Sequence, residues 1–78
     1  MSIEFRKYDT VKIIEILNPE KTHKSDFNLA APKAGDIATI VEIFTDPCVG
    51  YELECSDKNG ITQWLVTFES GEINMVTA

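Results

Sequence analysis

The chain has 78 residues, of which 44% are apolar, 9% aromatic and 26% charged, with a formal net charge of −6. That length allows one hydrophobic core rather than two, and the composition is globular rather than disordered. No apolar run approaches the roughly 18 residues of a membrane span, and an acidic chain repels the phosphates of nucleic acids and anionic lipids.

In chain order, "TVKIIEIL" (Thr10 to Leu17) reads as the first strand. Val11 and Ile13 lie on one face, Ile14 and Ile16 on the other. Such doubled pairs predict burial on both sides or a bulge that switches faces. The preceding "IEFRKY" predicts a short edge segment. Asn18-Pro19-Glu20 offers an N-cap and a first-turn proline, enough for one helical turn. The polar run up to Asp36 has no apolar periodicity and reads as one long early loop over about 18–35. Phe27 and Leu29 are its expected anchors on the core, and Pro32 and Gly35 close it.

"DIATIVEIFT" is the second strand. "GYELECS" is the third, with Tyr51, Leu53 and Cys55 on one face and Glu52 and Glu54 on the other. "DKNG" is a hairpin turn, since Asp57 suits its first position and Asn59-Gly60 tolerate positive φ. In "ITQWLVTFES", the fourth strand, Trp64, Val66 and Phe68 alternate with Gln63, Leu65 and Thr67. Trp64 and Leu65 cannot both point inward, so the phase of this strand stays open. "EINMVT" is a short fifth strand. Together these elements describe an all-β fold, a small five-stranded antiparallel barrel occupying residues 1–78 as a single domain. Its core is expected to draw on Val11, Ile13 or Ile14, Ile37, Ile40, Ile43, Leu53, Cys55, Leu65 or Val66, Phe68 and Val76.

The segments "YDTVKIIEIL", "KAGDIATIVEIF", "YELECSDKNGITQWLVTF" and "EINMV" together resemble a family of small bacterial SH3-like barrel proteins catalogued as a domain of unknown function. The resemblance covers nearly the whole chain. It implies an SH3-like barrel and supplies no catalytic residues. It also implies a companion role beside toxin-like or nuclease-like proteins, as an antitoxin or immunity-like binder. Two departures stand out. Ala38 occupies the place of the family's second glycine, and the loop from Lys21 to Pro32 is longer than usual. The glycine-hydrophobic pattern is similar, too, to the KOW motif of RNA-associated factors. Those modules present basic surfaces, whereas the barrel half here is acidic.

Charge is unevenly spread. Residues 1–35 carry six Lys/Arg against five Asp/Glu, whereas residues 36–78 carry only Lys58 against eight acidic residues. Glu52 and Glu54 share one side of the third strand, and Glu42 is expected beside them on the second. Like charges so placed cost stability unless a cation opposes them. A basic partner protein could do so, or the basic early loop through Lys21, Lys24 and Lys33; plain solvation is the simpler alternative.

Catalytic and metal chemistry find little support. His23, Ser25 and Asp26 mimic a hydrolase trio, but they share one short loop with no rigid scaffold to fix them. Cys48, Cys55 and His23 fall one ligand short of a structural zinc site. Reading "DKNG" as part of a calcium loop places Phe68 or Val66 where the bidentate glutamate belongs. No cofactor is expected. Two cysteines are too few for a disulfide framework and "MSIEFRKYDT" is no secretory signal, so a cytoplasmic protein with free thiols is expected. "KYDT" with Trp64 echoes a proline-peptide groove, which needs more clustered aromatics.

The leading expectation is a non-catalytic protein-binding module. Its contact residues are Glu42, Glu52 and Glu54 on the acidic face, and Lys21, His23, Lys24 and Trp64 at the long loop. A ligand binder or enzyme with a pocket at His23, Phe27 and Trp64 is the first alternative, and a KOW-like nucleic-acid module the second. Open strand edges and a small core make a homodimer plausible.

Overall fold

A computed structural model describes residues 5–78. Five strands, β1 (Thr10–Ile16), β2 (Ile37–Phe44), β3 (Gly50–Ser56), β4 (Thr62–Glu69) and β5 (Ile73–Thr77), form one antiparallel sheet in the order β4-β3-β2-β1-β5. One 3-10 turn, Pro19–Thr22, follows β1, and another, Ser70–Glu72, joins β4 to β5. Barrel closure by strand pairing is not made. β4 and β5 stand at opposite ends of the sheet, so its hydrogen-bonded ladder is open.

The doubled apolar pairs of the first strand resolve as a bulge. Ile13 pairs with Met75 and Glu15 with Asn74, leaving Ile14 as the extra residue, half exposed. A second bulge sits in β2, where Ile40 faces Leu53 and Glu42 faces Glu52 with Val41 between them. Each bulge shifts the side-chain alternation by one and sends the following residues to the other face.

The core is one cluster of Val11, Ile13, Ala38, Ile40, Tyr51, Leu53, Trp64, Phe68 and Ile73. Trp64 and Phe68 meet edge to face at 6.3 Å. This fixes the phase of β4: Trp64 and Phe68 point in and Leu65 points out, 46% exposed. The larger aromatic surface wins the interior because burial scales with apolar area. The expected core placements of Ile37 and Val76 are corrected by the strand register. Val11 pairs with Ala38 and Lys12 with both Ile37 and Val76, so Ala38 faces inward while Ile37 and Val76 flank Lys12 outside, each about half exposed. Ile43, Cys55 and Val66 pack at the core margin. The methyl of Ala38, 2% exposed, is itself core.

The long loop is pinned differently from expectation. Phe27 is 98% exposed and Leu29 65%, so neither anchors it. Hydrogen bonding to the outer edge of β4, from backbone and side chains, holds it instead. Leu29 and Ala30 N–H both donate to Gln63 C=O (2.8 and 3.0 Å), and Leu65 N–H donates to Asn28 Oδ1 (3.1 Å). Lys21 Nζ donates to Thr67 C=O (2.7 Å). Pro32 is fully buried beneath the loop's return.

Local turn chemistry follows the sequence closely. Asn18 Oδ1 accepts from Glu20 N–H (3.0 Å) and Pro19 opens the turn. Asp57 Oδ1 accepts from Asn59 and Ile61 N–H (2.8 and 3.0 Å), and Gly60 takes φ +81°. The "FRKY" stretch is not an edge strand. Residues 6–9 make a turn in which Arg6 N–H donates to Asp9 Oδ2 and Tyr8 takes φ +73°. Ile3 and Glu4 lie outside the described residues.

Candidate functional site

The outward face of β2, β3 and β4 carries the acidic residues that composition points to. Regular pairing after Ile40–Leu53 would have set Val41 against Glu52 and turned Glu42 to the opposite face. The Val41 bulge turns Glu42 outward instead, directly opposite Glu52. Glu54 pairs with Thr39 on β2 and Leu65 on β4, one row along. The three carboxylates therefore share one half-exposed surface.

Their partners are few. Glu42 Oε1 accepts from Ile43 N–H (3.0 Å), and Glu42 Oε2 lies 3.5 Å from Lys7 Nζ. Glu54 Oε2 accepts from the Thr62 hydroxyl (2.9 Å). The Glu52 side chain has no hydrogen bond or ion pair among the described residues, and it faces Thr67 on β4. Lys7 is raised above its ordinary pKa, first by the charge of Glu42 and then by Tyr8, whose ring lies 5.3 Å from its Nζ. Sequence reasoning missed Lys7 and Tyr8 as members of this surface. The left-handed turn that brings them there has no glycine to announce it, and Tyr8 N–H reaches Ile40 C=O at 2.6 Å.

The acidic rows run into an open groove of about 310 Å³ lined by Phe44, Asp46, Cys48, Gly50, Thr67 and Glu69. Phe44, Gly50 and Glu69 form the next outward-facing sheet row after Glu42, Glu52 and Thr67. Gly50 is the floor of the groove, where a Cβ would come within 3.2 Å of Phe68 C=O. Phe44 is 41% exposed, an apolar wall between carboxylates.

The loop residues named from the sequence do not gather here. Lys21 is committed to Thr67 C=O and lies 3.8 Å from Glu72, so it acts as a staple between loop and β4. Lys33 is bound to Asp36 at 2.7 Å. His23 and Lys24 are exposed on the loop, and His23, Ser25 and Asp26 make no hydrogen bond among their side chains. The cation opposing the acidic face is thus Lys7, not the early loop.

Trp64 is corrected outright as a contact residue. It is 1% exposed, and its indole N–H donates to Asp36 Oδ2 at 3.0 Å. Asp36 also accepts from Lys33 N–H (3.1 Å) and Nζ, so a single carboxylate ties the loop's closing turn to the core tryptophan. With Trp64 inside and Phe27 outside, a pocket at His23, Phe27 and Trp64 does not form. Another open groove, about 480 Å³, lies against Ile14, Ile16, Thr22, Pro32 and Ala34.

Both cysteines are free thiols. Cys48 is raised above the usual thiol range by burial and by Glu69, and Cys55 by burial and by Asp36, so both stay protonated at neutral pH. Among the described residues, no cluster of three or more His, Cys, Asp or Glu could hold a metal ion, and no helix is long and apolar enough to cross a membrane. Comparison with known protein families, curated proteins and solved structures found no match.

Proposed function

We propose that this chain is a non-catalytic protein-binding module of SH3-like type whose acidic sheet face receives a basic partner protein. The single observation that carries the reading is the direct juxtaposition of Glu42 and Glu52 with Glu54 on one face, opposed among the described residues by one exposed lysine, Lys7. Like charges directly opposite across a strand pair are destabilising. A partner cation would convert that cost into attraction. The neighbouring groove supports the same chemistry. An arginine or lysine laid over Gly50 would place its stem against Phe44 and its head between Asp46 and Glu69. Tyr8, 70% exposed beside Lys7, adds an aromatic of the kind enriched at interfaces.

The strand order, the long loop after β1 and the 3-10 link between β4 and β5 support the SH3-like assignment. The family resemblance extends it to an antitoxin or immunity-like companion that restrains a basic enzyme.

Pull-down from the native host with the tagged protein tests this. A basic protein is expected, released as salt rises and weakened at least tenfold by Glu52→Lys with Glu54→Lys. Recovery indifferent to both salt and charge reversal refutes the proposal.

A further inference from the structure

The two ends of the sheet are treated differently. The outer edge of β4 is covered by the long loop, through Asn28, Leu29, Ala30 and Lys21. β5 has no such cover among the described residues. Its orientation follows from two bonds at the ends of its ladder with β1. Ala78 N–H donates to Thr10 C=O (2.9 Å), and Leu17 N–H donates to Glu72 C=O (2.7 Å). With Val11 opposite Thr77 and Ile16 opposite Ile73, these bonds make both pairs non-hydrogen-bonded positions of the ladder. The backbone groups of Met75 and Thr77, and the carbonyl of Ile73, therefore point away from β1 along the open edge. Val76 and Asn74 are the residues bonded inward.

Natural sheet edges are blunted by lysine, proline, inward charge or a covering segment. β5, "INMVT", carries none of these. On its outer side Val76 is 49% exposed, and Ile37 lies across Lys12 from it, 47% exposed. The carboxylates of the acidic face lie on β2 and β3, so the net negative charge does not guard this edge.

We infer that β5 is a self-pairing edge, and that two copies join antiparallel about Met75 into one continuous sheet. Met75 then exchanges both backbone bonds with Met75 of the second copy, and Thr77 N–H meets the second copy's Ile73 C=O. Charge complementarity selects this register. Lys12 pairs with Val76 and Glu15 with Asn74 on the same outer surface. The two-fold places Val76 against the second copy's Asn74, so each Lys12 shares a row with the other copy's Glu15. Three strand spacings separate them, about 14 Å between Cα atoms, so side chains leaning toward each other bring the opposite charges well within a Debye length without closing an ion pair. The interface lies at the far end of the sheet from the acidic face, so either can fail without the other.

Sedimentation equilibrium of the purified chain from about 10 μM to about 1 mM tests the inference. The expected result is a mass that rises toward twice the monomer, with amide exchange at Met75 and Thr77 slowing as concentration increases. Met75→Pro removes the central donor at a position where proline costs no internal ladder bond, and it is expected to weaken association at least tenfold. Lys12→Glu weakens it as well, and Lys12→Glu with Glu15→Lys restores it. A monomer throughout, or a dimer whose Met75 exchange is independent of concentration, overturns the inference. So does failure of the paired charge swap to recover what the single reversal loses.

Discussion

Asp36→Ala is expected to be the most damaging single polar substitution in the molecule, and its magnitude follows from the geometry. The carboxylate accepts from the Trp64 indole at 3.0 Å, from Lys33 N–H at 3.1 Å and from Lys33 Nζ at 2.7 Å. The last is worth little, because Lys33 is mostly exposed. Losing the first strands an indole N–H on a side chain that is 1% exposed, at about 1–3 kcal/mol. Losing the second frees the loop's closing turn, at about 0.5–1.5 kcal/mol. A total near 3 kcal/mol compares with roughly 4–12 kcal/mol for a domain of this length, and it lowers Tm by roughly 10–25 °C. Urea unfolding followed through Trp64, the sole tryptophan, measures it directly. Asp36→Asn, which keeps an acceptor, should lose about half as much. A double-mutant cycle with Trp64→Phe, followed by circular dichroism, should return a coupling of about 1 kcal/mol or more. An Asp36→Ala change within about 0.5 kcal/mol of the parent, or strict additivity in the cycle, refutes the role assigned to this carboxylate.

Three further outcomes are expected. Glu52→Lys should stabilise the free protein by about 0.2–1 kcal/mol in urea melts, because the new ammonium would face Glu42 across the ladder; the same variant should bind its partner less well. Glu72 is held below the usual carboxylate range by its hydrogen bond from Asn18 and by Glu69 N–H. A depressed folded pKa gives stability that is full above the unfolded value of about 4.3 and is lost as pH falls through the folded value. The urea midpoint should therefore fall with acid below about pH 5, and less steeply in Glu72→Gln. Cys48, the exposed thiol, should be alkylated well before Cys55, at a rate that rises with pH through and above 9.

Much of the fold was readable because local rules and global pattern agree in it. "GYELECS" becomes β3 at its sequence-assigned bounds, since alternation and burial coincide. "DKNG" and "NPE" form the turns their side chains specify. The misreadings arise where a period-two pattern slips. Ile37 and Val76 have the right residue type for a core, and their phase is set by neighbours across the ladder that composition does not reveal. Phe27 looked like an anchor because apolar residues in polar loops usually are. Here bonds to the outer edge of β4 hold the loop, two from the backbone of Leu29 and Ala30, which any sequence can make, and two through the side chains of Asn28 and Lys21. For the site, the acidic face was legible from Glu52 and Glu54, because side chains two apart on a strand must share a side. Lys7 and Tyr8 were not, since their place depends on a turn closed against Ile40 from a segment read as a strand.

The departures from local preference gather in one corner of the molecule. Tyr8 holds a left-handed conformation, which costs a non-glycine residue roughly 1–2 kcal/mol. Val41 is a bulge that breaks the β2–β3 ladder. Glu42 and Glu52 sit opposite one another with like charge. Lys7 Nζ lies near both Tyr8 and Glu42, and Tyr8 N–H bonds the carbonyl of Ile40, next to Val41 in sequence, so the three form one connected feature. The bulge itself serves the core, turning Glu42 out and bringing Ile43 in opposite Tyr51, and the turn before β1 sets Phe5 edge to face on Tyr51 at 5.7 Å. The strained turn and the opposed charges would each be relieved by a change that leaves the interior untouched, glycine in place of Tyr8 or lysine in place of Glu52. Structures retain local conflicts of this kind where another requirement holds them. What the core does not require is a second glutamate opposite Glu42, since any polar residue at position 52 would complete the ladder. The opposed carboxylates and the strained Tyr8 are the features of this face that support the proposal that a basic partner docks there.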